Sequence, residues 1–191
     1  MRNTRISRDF FTRDVLELAP SLLGMKIVRM DVEGMASHYI ITETEAYRGE
    51  DDLACHASKG RTVRTGVMYR EGGVLYVYLV YGIHWMLNIV GGKAEEPQAV
   101  LIRGLQGIKG PGRLTKALGI DKSFNGEDLI ISSRIWLEDS GINPCYEATP
   151  RIGIDYAGPI WKNKPWRFVV TSAPHQNTAP QSSPPIPGNN P

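Results

Sequence analysis

The chain has 191 residues, 41% of them hydrophobic and 22% charged, with a formal net charge of +2. That is enough chain to bury one well-packed core, and a charge this close to zero selects neither a nucleic acid, a membrane surface nor an acidic ligand as partner. Two distant cysteines, Cys55 and Cys145, make neither a disulfide framework nor a zinc-ligand spacing, which favours a reducing compartment. The opening MRNTRISRDFF lacks an apolar signal core, and no later run approaches the ~20 apolar residues of a membrane-spanning helix. A soluble, cytoplasmic protein with no membrane contact is expected.

In chain order, Thr12 is placed to cap a helix with Asp14 in its first turn, and Val15, Leu16, Leu18, Leu22 and Leu23 recur at helical spacing. Pro20 should break or kink that helix and Gly24 end it. MKIVRMDV reads as a strand, Glu33-Gly34 as a turn and SHYIITETEAY as the returning strand of a hairpin. From Arg48 to Gly73 the composition turns polar and glycine-rich, which predicts a long surface excursion with one short helix. VLYVYLVYGIHWMLNIVGG then predicts a second hairpin with Tyr81 at or beside its tip. QAVLIRGL is a further strand, and GPGRLTKALGI a short helix opened by Pro111 and closed by Gly119.

EDLIISSRIWLED, PRIGIDYAG and RFVVTSAP are expected to add at least two more short strands. Strands and helices without a regular βαβ alternation predict an α+β domain over 1–173, with a curved, mainly antiparallel sheet, short helices around it and a protruding hairpin. Residues 174–191 are rich in Pro, Ser and Asn, and cannot bury enough apolar surface to offset their ordering entropy, so a disordered tail is expected. P-loop and dinucleotide glycine patterns are absent, so no nucleotide cofactor is expected, and no metal site is predicted.

The strand HYIITETEAY carries the first site signal. Strict alternation puts Tyr39, Ile41, Glu43, Glu45 and Tyr47 on one face, with the two carboxylates ~6.6 Å apart beside bulky apolar groups. A solvated edge strand is one reading; a general base oriented by Tyr47 and by His56 from the following loop is the other. A Cys55–His56 dyad is improbable, because consecutive side chains of an extended segment point apart. Tyr76, Tyr78, Tyr81, His84 and Trp85 can simply fill a core, as strand aromatics do, although Tyr76 and Tyr78 share a strand face and can stack on a flat ligand or on each other. Tyr81, at a tip with no core to fill, is a candidate wedge for parting stacked bases. Arg103, among apolar residues, needs an anionic partner, for which Glu43 and Glu45 are candidates. Lys59, Arg61, Arg64, Lys109, Arg113 and Lys116 read singly as solubilising charge and together with the wedge as a phosphate-contacting rim.

ITETEAY, HAS at His56, LYVYLVYG running on to Asn88, VLIRGL, GPGRLTKALGI and RIGIDYAG resemble, in order and spacing, the alkyladenine (3-methyladenine) DNA glycosylases of the mammalian type, in a compact bacterial form. The similarity spans about Phe10 to Pro174. It implies an enzyme without a cofactor that flips a damaged purine nucleotide out of duplex DNA and hydrolyses its N-glycosidic bond, leaving an abasic site. By this resemblance Glu45 is the general base and Glu43 the neighbouring acid. Arg103, with the backbone carbonyl at Ile152, completes the water-holding site. Tyr47, His56 and Tyr78 wall the base pocket, Asn88 crowds the 2-amino group of guanine, and Tyr81 intercalates. No lysine falls at an aligned catalytic position, so a water nucleophile without Schiff-base or lyase chemistry is implied, acting as a monomer on double-stranded DNA that contains damaged purines, in the cytoplasm or on the nucleoid. His84, Trp85 and Ile83 depart from the mammalian pattern beside the wedge. A non-catalytic nucleic-acid-binding module using the tyrosines as a stacking platform is the main rival, and a small-molecule hydrolase the second.

Overall fold

The computed structural model describes residues 5–171, so the predicted C-terminal tail lies outside the described residues. The helix α1 (Arg8–Phe11) buries Phe11, and α2 (Val15–Ser21) buries Val15, Leu18 and Ala19. The cap of α2 is Asp14, whose side chain accepts from the Leu16 N–H, rather than Thr12, whose hydroxyl instead donates to the Asp9 carbonyl at 3.2 Å. Pro20 sits in the last turn and α2 runs past it to Ser21, because a proline near the end of so short a helix removes only one ladder bond.

The sheet has nine strands: β1 (Lys26–Met30), β2 (Ala36–Arg48), β3 (Leu75–Val80), β4 (His84–Val90), β5 (Gln98–Leu105), β6 (Ile108–Lys109), β7 (Ile135–Glu138), β8 (Tyr146–Thr149) and β9 (Arg167–Val170). The main path runs β3-β4-β5-β2-β1-β7, with β6 added to β5, and β9 joining β2 to β8. All these pairings are antiparallel. The predicted α+β class and both predicted hairpins are present. The expectation of at least two strands from EDLIISSRIWLED, PRIGIDYAG and RFVVTSAP is met by β7 in the first and β9 in the third, while PRIGIDYAG forms a turn and a short 3-10 helix at Asp155–Ala157 before α4 (Gly158–Lys162), and a further strand, β8, lies just upstream. Gly153 and Gly158, both at positive φ, interrupt any extended run there.

β2 organises the site. Along 36–40 it pairs with β1, and along 43–45 with β9, while β5 borders its other side from Ile41 onward. Two register shifts between Ile41 and Thr44 mark the changeover. They also overturn the strict alternation expected for this strand. Ile41 and Ala46 lie in the main apolar core with α2 and α3 (Pro111–Ala117), and the Thr44 hydroxyl donates to the Ala19 carbonyl of α2 at 2.9 Å. Glu43, Glu45 and Tyr47 face the other way. A bulge reverses which parity faces inward, so Ile41 and the glutamates part company. Gly104 of β5 makes the irregularity possible, since a Cβ there would lie 3.0 Å from the Glu43 Cβ and 3.1 Å from Thr42 Oγ1.

On the face away from α2, Tyr76 packs with Cys55, Ala57, Met68, Tyr69, Val74, Val90 and Ala99. Four of these, Cys55, Ala57, Met68 and Tyr69, come from the 48–73 segment, so that segment is not a surface excursion. It folds as two 3-10 turns, His56–Lys59 and Thr65–Tyr69, closed over the sheet. Apolar residues spaced too sparsely for a helix or strand pattern still bury when two short turns present them.

Candidate active site

A cleft of about 480 Å³ opens between this aromatic face and the turn after Pro150. Tyr47, His56, Arg64, Tyr76, Tyr78, Asn88, Arg103, Ile152 and Tyr156 are among its walls. Its volume falls within the usual range of small-ligand sites. Glu45 is fully buried at its edge, behind three of those wall residues. Its Oε1 accepts from the Ile152 N–H at 2.8 Å and lies 3.4 Å from Arg103 Nε. Its Oε2 accepts from the Tyr47 hydroxyl at 2.8 Å and from Arg103 Nη1 at 3.5 Å. Burial pushes the Glu45 carboxyl above the ordinary carboxylate range of 4.5, against the opposing pull of Arg103, Ile152 and Tyr47. The Ile152 bond to Glu45 runs through its amide, a group separate from the carbonyl that the resemblance assigns to the water.

Glu43 does not share that position. Its Oε1 accepts from Arg103 Nε at 3.0 Å and Arg167 Nε at 2.7 Å. Arg103 thus finds the anionic partners its apolar strand requires, and Arg167 of β9, unnoticed in the sequence, completes a row of alternating charge from Arg167 through Glu43 and Arg103 to Glu45.

Tyr76 and Tyr78 have ring centroids 5.2 Å apart and tilted by 39°, and His56 stands edge-on to Tyr78 at 4.6 Å. His56 Nδ1 lies 3.0 Å from the Tyr76 hydroxyl. Burial, then the nearby Arg64 and Lys59 cations, lower the His56 pKa to about 4, so the ring is neutral at pH 7. Asn88 is buried and donates to the Tyr76 carbonyl at 3.0 Å, which fixes its amide at the cleft wall. Burial raises the Cys55 thiol to about 12, so it is not a nucleophile at neutral pH.

Tyr81 crowns the β3–β4 hairpin, 90% exposed. The Ile83 amide closes a turn onto the Val80 carbonyl at 3.1 Å, with Tyr81 at φ 53° and Gly82 at φ 71°. Two positive φ values match the twist of a hairpin, but a tyrosine there is strained. Ile83, at 70% exposure, enlarges the apolar tip. α3 packs across the start of β4: Thr115 donates to the Trp85 carbonyl at 2.9 Å, and a Cβ on Gly112 would meet the His84 ring at 2.9 Å. Arg113 and Lys116 are exposed on α3, as is Lys109 on β6. Arg64 stacks over Tyr78 at 4.9 Å inside the cleft, and Arg61 is committed to Glu95 and to the Tyr69 ring.

Tyr156, Arg151 and Asp52 escaped the sequence reading. Tyr156 lies in the 3-10 turn Asp155–Ala157, and Arg151 was hidden although a lone arginine among apolar residues is the signal that exposed Arg103.

The chain matches the methylpurine-DNA glycosylase family over residues 9–109 and 106–174. It belongs to that family. Similar proteins, provisionally named 3-methyladenine DNA glycosylases, include one from Psychrobacter cryohalolentis, 40% identical across 88% of this chain and 93% of the relative. Others come from Methanocella arvoryzae, 41% identical across 88% of this chain and 94% of the relative, and Natranaerobius thermophilus, 38% identical across 89% and 97%. The cleft therefore belongs to a DNA glycosylase of base-excision repair.

Proposed function

We propose that this DNA glycosylase turns an alkylated or deaminated purine nucleotide out of duplex DNA into the aromatic cleft and hydrolyses its N-glycosidic bond with one water. The observation that carries this reading is the environment of Glu45, a fully buried carboxylate beside the cleft with a raised pKa. A solvated edge glutamate would be exposed and unshifted. A carboxylate offers about four lone-pair sites; the two 2.8 Å bonds from Ile152 and Tyr47 fill two, and the Arg103 contacts are long, so acceptor capacity remains for a water.

In the reaction, the water oxygen attacks C1′ as the bond to the purine nitrogen breaks, its electron pair leaves with the base, and Glu45 takes the proton. The carboxylate also offsets the positive charge that develops on the sugar. A ring-alkylated purine already carries positive charge and leaves as a neutral base, so one base suffices, and a deaminated purine leaves as an anion that takes its proton from solvent; neither a lysine adduct nor strand cleavage follows.

Tyr47, Tyr78 and His56 hold the everted base. Flipping costs a few kcal/mol of unstacking, and aromatic stacking returns roughly 1 to 3 kcal/mol per base. Arg64 sits beside the Tyr76 hydroxyl and, as a donor-only cation, favours that oxygen as acceptor. The Tyr76 proton then points at His56 Nδ1, leaving His56 to offer an Nε2–H donor to the purine edge. Asn88 excludes a 2-amino group. Tyr81 fills the gap left in the stack, and Arg64, Lys109, Arg113 and Lys116 meet phosphates around it. The protein acts as a monomer.

The deciding experiment is Glu45→Gln. Release of methylpurine from methylated duplex is expected to vanish while affinity for lesion-bearing duplex stays within about tenfold, roughly 1.4 kcal/mol. Equal loss of both sinks the assignment of Glu45 and favours a binding module.

A further inference from the structure

Immediately before Ile152 lies Arg151, whose side chain is wholly buried against an equally buried Asp52. The pair is bidentate: Arg151 Nη1 is 2.6 Å from Asp52 Oδ2 and Nη2 is 2.9 Å from Oδ1. Nη1 also donates to the Ala46 carbonyl at 2.9 Å, between Glu45 and Tyr47, and Nη2 reaches the Trp161 carbonyl of α4 at 3.5 Å. The guanidinium lies 4.7 Å from the Tyr47 ring and 5.0 Å from the Trp166 ring. Asp52 in turn accepts from the Arg48 and Ala54 amides at 3.2 and 3.0 Å, pinning the loop that delivers His56.

Stability alone does not account for this cluster. A buried ion pair is often no more stabilising than apolar side chains of the same size, and Arg151 Nε has no hydrogen-bond partner among the described residues. What the pair does achieve is geometric. It clamps Tyr47 from beneath and holds the segment carrying the Ile152 amide, and those two groups make the two shortest bonds to Glu45.

We propose that Arg151 and Asp52 are positioning residues for base excision, acting on the two oxygens of Glu45 through Tyr47 and Ile152. The inference rests on Glu45 being the general base. Loosening the clamp weakens two bonds that hold the Glu45 pKa down, so the base becomes both misplaced and harder to ionise.

The test is single-turnover release of methylpurines from methylated duplex at saturating enzyme, followed from pH 5 to 9. Arg151→Met/Asp52→Leu removes both charges together, which avoids stranding one of them in the interior. It is expected to melt below wild type, because the Arg48 and Ala54 amides and the Ala46 carbonyl lose their partners, yet to remain folded at the assay temperature, to release base at least 100-fold more slowly, and to move the acid limb of its remaining activity to higher pH. Arg151→Lys keeps the charge but not the fork, and a loss of about tenfold with the same direction of limb shift is expected. Either variant showing an unmoved acid limb, with a rate lowered only by its unfolded fraction, overturns the proposal. Glu45→Gln run alongside separates the two readings: if that variant keeps its activity, the assignment of the base fails first.

Discussion

The Tyr47 hydroxyl donates to Glu45 Oε2 at 2.8 Å from two positions along the same strand. One residue of β2 thereby tunes another, and the bulge upstream sets both on the cleft side of the sheet, Tyr47 in the cleft wall and Glu45 buried behind it. A hydrogen bond to a charged group contributes about 1.5–3 kcal/mol, and one pKa unit corresponds to about 1.4 kcal/mol. Tyr47→Phe keeps the ring and removes the donor. The acid limb of its excision profile should move to higher pH, so its deficit is greatest at the acid end of the profile and fades toward the alkaline end. A deficit uniform across the profile would show that the hydroxyl does not act on the carboxylate.

Glu45 also predicts a trade of stability for function. Its folded pKa is raised above the unfolded value of 4.5, so its contribution to stability is fully present below pH 4.5 and lost as pH rises through the folded value. Glutamine imitates the protonated acid. Glu45→Gln should therefore melt above wild type at pH 8. That difference should close as pH falls toward 4.5. Calorimetry at three pH values checks it, and a variant less stable than wild type at pH 8 contradicts it.

Local rules made the two hairpins, the exposed Tyr81, and the pairing of Arg103 with both glutamates legible in the sequence, because each follows from strand period, turn residues or the need of a buried charge for a partner. The face assignment of Ile41 was not legible. Strand period holds only in a regular ladder, and the shift at Ile41–Thr44 depends on where β1 gives way to β9 more than a hundred residues downstream. The burial of Cys55, Met68 and Tyr69 was hidden for a related reason, since two short turns impose no period that composition can reveal. Arg151 and Arg167 carried the same signal as Arg103, a cation among apolar neighbours, and the partners that explain them, Asp52 and Glu43, are equally remote in sequence.

His56 has the opposite linkage to Glu45. Its pKa falls from 6.5 unfolded to about 4 folded, so stability is fully present above pH 6.5 and is lost as pH falls toward about 4. The cause is burial first, with Arg64 and Lys59 adding repulsion. Comparing wild type with His56→Gln isolates this group from the other titrations. The difference in unfolding free energy, variant minus wild type, should grow across pH 6.5 to 4 and level off below; a flat difference would mean that the imidazole is not held neutral.

Arg113 projects from α3, which rests on His84 and Trp85 at the root of the protruding hairpin. A phosphate contact there releases condensed counterions on binding, and each such contact adds about one to the slope of log affinity against log salt. Arg113→Ala should weaken binding to damaged and undamaged duplex alike and lower that slope by about one. Selective loss for the damaged duplex would place Arg113 in recognition of the lesion instead.

Tyr81 ties backbone strain to function. Its φ of 53° is a conformation that non-glycine residues other than Asn and Asp rarely adopt, at a cost of order 1–3 kcal/mol. Nothing in the folded chain requires an aromatic ring at that tip, which is 90% exposed. Asparagine tolerates the left-handed region, so Tyr81→Asn should melt at or slightly above the wild-type temperature. The same variant should lose lesion-specific affinity and the rise in 2-aminopurine fluorescence beside the lesion that reports an opened stack. If stability falls and fluorescence is unchanged, the tyrosine serves the hairpin rather than the DNA. If stability holds and fluorescence falls, the strain at position 81 is retained for the ring that enters the duplex.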